Sequence, residues 1–131
     1  MLRFDDLVLD GKSPIYLQIL RFVKQGIAAG VVCGGDELPS RRVLSALLGV
    51  NPNTVQKAFH LLEEEGLIES RTGAKSVIVT DDAAAARLRA ELQESEARNA
   101  ARLLRESGLK KEEALALIDR FWDQHAERSN E

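Results

Sequence analysis

VNPNTVQKAFHLLEEEGLI, residues 50–68, is the stretch on which the reading of this chain turns. Asn51 has the side chain that caps a helix by accepting from a backbone amide just ahead of it. Pro52 suits the first helical position, where its missing N–H costs nothing, and Gly66 is free to take the left-handed turn that ends a helix. These residues bracket about four turns. Inside the bracket Val55, Ala58, Phe59 and Leu62 recur at helical spacing on one side, and Asn53, Gln56, Lys57 and His60 fall together on the other. One face is built for burial, and the other offers side-chain amides and an ammonium. Asn and Gln pair bidentately with adenine and Lys donates to guanine, so this face carries the groups that major-groove reading requires. Most amphipathic surface helices have polar outer faces and bind nothing, so the face alone leaves both readings open.

The preceding residues narrow the choice. Leu38-Pro39-Ser40 followed by RRVLSALLG, residues 41–49, predicts a shorter helix capped by Ser40 and ended by Gly49, with Val43, Leu44, Leu47 and Leu48 as its apolar stripe. Only Gly49 and Val50 separate the two helices. Two helices joined by a tight glycine-containing turn, the second with an amide-rich outer face, form a helix-turn-helix.

SPIYLQI (13–19), GGDELPSRRVL (34–44), LGVNPNTVQKAFHLLEEEGLI (48–68) and the turn at Gly73 together resemble the GntR family of bacterial winged helix-turn-helix transcription regulators, and within it the small YtrA-like branch. The resemblance is close from Pro14 to Val79 and extends to the last third of the chain only in length and helical character. It implies a mainly α fold with a small β-hairpin wing: an N-terminal winged helix-turn-helix over residues 1–80 and a C-terminal two-helix dimerisation tail over residues 81–131. It also implies sequence-specific binding of double-stranded DNA, with a lean towards repression.

Site residues follow from the same resemblance. Arg42 falls where the family places an arginine that reaches a base or phosphate, and Arg41 adds positive charge beside the phosphate track. Asn51, Asn53 and Thr54 match the front of the recognition helix, where backbone amides and hydroxyls grip phosphate. Gln56 and Lys57, one turn in, match the positions that touch base edges. Larger family members often place arginines where this chain has Pro52 and Gln56, so its preferred bases should differ, with Gln56 favouring adenine. Val43 stands where relatives commonly have the glutamate of a capping box, which leaves Ser40 to cap alone.

Leu67 to Ser70 and Ser76 to Thr80 are β-prone runs around the basic, glycine-containing Arg71-Thr72-Gly73-Ala74-Lys75, a hairpin signature. A hairpin here could simply cover the core. Behind a helix-turn-helix it resembles the wing, whose tip, Thr72 and Gly73 with Arg71 and Lys75 beside them, borders the minor groove in the family. Ala74 and Ser76 depart from the more usual glycine-rich tip.

A net charge of −3 looks wrong for a DNA binder until it is divided: residues 13–80 carry +1 and residues 81–131 carry −3. Screening confines exposed charges to about 8–10 Å, so local sign outweighs the sum. The chain of 131 residues, 44% hydrophobic and 30% charged, suits one globular domain with an appendage. No apolar run approaches membrane-spanning length and the N-terminus lacks a signal pattern, so a cytoplasmic protein is expected. Cys33 is the single cysteine, which excludes an intramolecular disulfide.

Residues 1–12 are expected to form an extended arm or short strand. Ser13 should cap a first helix with Pro14 at its first position and Ile15, Ile19, Phe22, Val23 and Ile27 as its stripe; Tyr16 and Gln18 could approach the backbone of bound DNA, with a rim position favoured. Val31 and Val32 fit the short strand that completes the sheet in the family. Asp82 to Glu106 should form one long helix and Lys110 to about Glu127 another. Leu88, Leu92, Leu103, Leu115, Ile118, Phe121 and Trp122 exceed what two helices need to cover each other and are expected to form a homodimer interface. A dimer would read a palindromic operator with two related recognition helices. The tail is too short for the ligand-sensing domain of larger relatives.

His60 and His125 are the only histidines, and HExxH, GxSxG and phosphate-loop motifs are all missing, so no catalytic site, metal or cofactor is expected. The rival reading is a winged helix that binds protein without specific DNA binding, since the fold alone does not decide function.

Overall fold

Glycine and cap residues punctuate the computed structural model, which describes residues 2–71 and 75–129. After a 3-10 turn at Phe4–Asp6 the elements are α1 (Ile15–Ala28), β1 (Glu37–Leu38), α2 (Arg41–Leu48), α3 (Pro52–Glu64), β2 (Ile68–Arg71), β3 (Lys75–Ile78), α4 (Asp82–Glu106) and α5 (Lys111–Ser129). The strands form one antiparallel sheet in the order β1-β3-β2, with Leu38 opposite Ser76 and Arg71 opposite Lys75. This is the expected mainly α fold with a hairpin behind a helix-turn-helix. Thr72, Gly73 and Ala74, the expected wing tip, lie outside the described residues.

The chain divides into two compact units, Met1–Glu91 and Leu92–Glu131. In the first, Ile19, Val23 and Ile27 of α1, Leu44 of α2, and Val55, Ala58, Phe59 and Leu62 of α3 are buried together with Leu38, Ile68 and Ile78 of the sheet. The division falls inside α4 and not at the composition change near residue 80, because the start of α4 belongs to the first unit. Asp81 caps it by accepting from the Ala84 amide at 2.7 Å, and Arg89 Nε donates to the Ala28 carbonyl at the end of α1 at 2.8 Å. Among the described residues no helix is long and apolar enough to cross a membrane.

Several expectations need correction. Pro14, not Ser13, occupies the cap position of α1, and no side chain caps it. The Ser13 carbonyl instead accepts from the Gln18 side chain at 2.8 Å, and that amide also bonds both backbone groups of Asp10. Gln18 therefore ties down the N-terminal arm with both ends of its side-chain amide. The arm is not a strand: a short turn at Phe4–Asp6 interrupts it, with Arg3 and Leu7 extended on either side, and Phe4 is buried against Phe22, ring centroids 5.3 Å apart. The third strand forms at Glu37–Leu38 and not at Val31-Val32. Gly34 explains the route, since a Cβ there would meet the Thr80 carbonyl at 2.6 Å; the neighbouring Gly35 amide donates to Ile78 at 2.8 Å, and the chain enters the sheet only beyond this close approach.

The apolar stripe of α2 is also rotated from its expected position. Leu44 and Ser45 are buried and Leu48 half-buried, whereas Val43 and Leu47 are 57% and 51% exposed. An eight-residue helix with apolar groups on two adjoining columns can turn only one inward, and here the Ser45 hydroxyl is drawn in to donate to the Val50 carbonyl at 2.6 Å.

Candidate nucleic-acid interface

Two caps set the geometry of the helix-turn-helix. Ser40 Oγ accepts from the Val43 amide at 3.1 Å, and Asn51 Oδ1 accepts from the Asn53 amide at 2.8 Å. Between them Gly49 has φ +68°, a backbone that a side chain would strain. The turn is short because Gly49 can make it, and α3 starts at once.

Burial of Val55, Ala58, Phe59 and Leu62 turns Asn53, Gln56, Lys57 and His60 outward, and all four are exposed. Thr54 is half-buried at the edge of this face. Asn51 is exposed, but its side-chain oxygen is committed to the cap, so it contributes to the site by fixing the helix start. At the front of α3 Pro52 has no N–H, and the Asn53 and Thr54 amides bond the Asn51 side chain and carbonyl at 2.8 and 2.9 Å, so what the front offers an anion is the positive end of the helix dipole and its exposed side chains. His60 Nε2 lies 3.0 Å from Glu64 towards the far end, which leaves the acids of α3 behind the amide-bearing turns.

Arg42 is exposed on α2, as expected. Arg41 is not: it turns inward, with Nη2 3.3 Å from Glu63 Oε1 and its guanidinium 5.7 Å from the Phe59 ring centroid. The position expected to add charge to a phosphate track thus fastens α2 to α3. Ser70 of β2 donates to the same Glu63 oxygen, so one carboxylate joins α2, α3 and the hairpin. The one signal for this in the sequence is Arg41 itself, standing in the turn where the rotated stripe of α2 faces α3.

On the hairpin Arg71 and Lys75 are cross-strand partners at the end next to the tip. Like charges directly opposite each other oppose pairing. Here Glu69 lies 3.5 Å from Arg71 and Glu37 lies 3.7 Å from Lys75, and both cations remain well exposed. Ser76, read as a departure at the wing tip, is buried within the sheet and belongs to its core.

The structure brings Lys57 and Tyr16 together, with the Lys57 ammonium 4.0 Å from the centre of the Tyr16 ring. Spacing alone could not reveal this contact, because it crosses from α1 to α3.

In the second unit Leu103, Leu115, Ile118, Phe121 and Trp122 are exposed, Trp122 at 71%. A groove of about 1100 Å³ runs between the helices, lined by Ala97, Ala101, Leu104, Leu115, Ile118 and Trp122 among others. Of the residues expected at a dimer interface, Leu88 is removed by the structure: it is 6% exposed, already covered by its own chain. Leu92 is half-buried.

Comparison with known proteins agrees with this geometry. Residues 15–78 match the family described as bacterial regulatory proteins, gntR family. The chain is 44% identical over 66 residues to the HTH-type transcriptional repressor YtrA of Bacillus subtilis, covering 50% of this chain and 51% of that protein. It is 31% identical to the HTH-type transcriptional regulator YhcF of Bacillus subtilis over 88% of this chain and 96% of that one. It therefore spans about half of the first relative and nearly all of the second. A solved GntR family transcriptional regulator from Listeria monocytogenes superposes with a TM-score of 0.74 at 29% identity, over 86% of this chain and 98% of that one. With the helix-turn-helix, the hairpin behind it and a relative aligned almost end to end, this chain belongs to the GntR family of bacterial transcription regulators, whose members here are regulators and not enzymes.

Proposed function

We propose that this chain is a sequence-specific DNA-binding repressor that works in the cytoplasm as a homodimer on a palindromic operator. Residues 1–80 supply the DNA contacts and the helices after residue 80 supply pairing. The observation that carries the reading is the outer face of α3, where Asn53 and Gln56 stand exposed on a helix whose opposite side is wholly committed to the core. Arg42 on α2, Thr54 at the rim and the opposed Arg71 and Lys75 of the hairpin support it as phosphate ligands. A phosphate between those two cations would relieve the repulsion that their pairing imposes. The name of the Bacillus subtilis relative YtrA supports repression. Pairing is supported by the apolar groove between α4 and α5 and by the exposed Leu103, Leu115, Ile118, Phe121 and Trp122.

Selection of bound duplexes from a random library with the purified chain tests the reading, since it returns preference, half-site spacing and symmetry together. A palindrome with half-sites about 10 base pairs apart, or a multiple of that, is expected. Gln56→Ala should then relax preference at one position per half-site, at a cost of about 1–3 kcal/mol for the favoured base. Unchanged preference at every position would rule out direct reading by Gln56.

The protein-binding alternative draws on Val43 and Leu47, two apolar side chains left outside on α2. Salt separates the readings. DNA binding falls steeply with ionic strength, whereas an apolar protein contact does not.

A further inference from the structure

Lys57 shares the outer face of α3 with Gln56, yet its ammonium does not project straight ahead. It rests 4.0 Å from the centre of the Tyr16 ring, on the neighbouring helix α1. Tyr16 is half-buried near the start of α1, a helix whose Ile19, Val23 and Ile27 are buried in the core. The tyrosine, with two side-chain torsions and partial burial, is the less mobile partner, and the exposed lysine on its four-carbon stem is the one that is placed. A lysine stem explores many rotamers when free, and an ammonium over an aromatic face is drawn into a few of them.

The direction of that placement has a chemical meaning. A major groove about 12 Å wide is filled by one α-helix with its side chains, itself about 10–12 Å across. A helix packed beside the reading helix cannot enter as well, so a group resting on it meets the groove wall, and the wall is phosphate. We infer that Tyr16 is a positioning residue that holds the Lys57 ammonium at the groove rim, making Lys57 a phosphate ligand and leaving the base edges to Asn53 and Gln56. This rests on the DNA reading above and sharpens it.

The test uses the full chain and a duplex recovered from the library. Lys57→Ala should weaken binding roughly five-fold near physiological salt, equally across a base-substituted series, and lower the slope of log affinity against log salt by about one. Tyr16→Leu should cost roughly two- to five-fold when Lys57 is present and nothing in the Lys57→Ala background, and Tyr16→Phe should bind as the parent does. A loss confined to one base pair in Lys57→Ala overturns the inference. So does an equal loss from Tyr16→Leu in both backgrounds, or a loss in Tyr16→Phe that would assign the effect to the hydroxyl. If Tyr16→Leu does not fold, the Lys57→Ala series decides, because that exposed side chain supports no core contact. Indifference to every duplex would sink the DNA reading and this inference together, whereas binding with any of the contrary patterns sinks this inference alone.

Discussion

Met1–Glu91 and Leu92–Glu131 are both largely helical, but they hold themselves together differently. Every buried apolar side chain among the described residues, from Phe4 to Leu88, lies in the first unit. In the second, Leu104, Leu109, Ala114 and Leu117 reach only partial burial, while Leu115, Ile118, Phe121 and Trp122 stay exposed. Its helices rely on local support: Glu94 pairs with Arg98 at 2.6 Å, Arg102 with Glu106 at 3.2 Å, and the Lys110 amide donates to Glu113 at 3.1 Å. Such pairs contribute tenths of a kcal/mol, whereas burial of one large side chain contributes about 1.5–3 kcal/mol. The contrast teaches that the first unit carries its own reason to fold and the second has an apolar surface in search of cover.

Three variants would break or sharpen that contrast. The largest effect is expected from Phe59→Ala, which empties the middle of the first core and should lower its unfolding free energy by about 3–5 kcal/mol in urea melts followed by circular dichroism. A loss below about 1 kcal/mol would mean that the core is not where the burial places it. Next comes Ile118→Glu, which puts a charge into the groove of the second unit. It should leave the urea midpoint of the first unit in place but shift sedimentation to monomer and weaken operator binding roughly 100-fold through lost bivalency. Trp122 is the only tryptophan, so its fluorescence should move to the red as its cover is lost. An unchanged sedimentation coefficient would point to a different pairing surface. The smallest effect belongs to Arg98→Ala, about 0.3–0.5 kcal/mol of helix stability and none in 1 M salt, as for an exposed i,i+4 pair. A loss above about 1 kcal/mol would show that the second unit depends on charge more than its exposure suggests.

The elements that can be read ahead of the structure are those whose limits are written in neighbouring residues. Ser40, Gly49, Asn51 and Gly66 mark the ends of α2 and α3 by local hydrogen bonding and backbone freedom, and Asp82 to Glu106 is helical along its whole length by composition alone. The features that escape are decided by distant partners. A two-residue strand at Glu37–Leu38 exists because β3 offers it an edge, and no local pattern favours it over Val31-Val32. Arg41 and Arg42 are adjacent identical residues, and only the presence of Glu63 and Phe59 across the helix pair sends one inward and leaves the other outside. Leu88 moves from the expected interface to the core for the same reason: its periodicity announces burial without naming what it is buried against.

The Glu63 carboxylate, shared by Arg41 and Ser70, has a consequence for reprogramming the protein. Asn53, Gln56 and His60 can be exchanged as a cassette, because nothing beneath them depends on their identity. Grafting the whole of α3 from a relative is another matter: the incoming helix must also bring an acid at position 63, or the scaffold that aims the hairpin loses its common anchor.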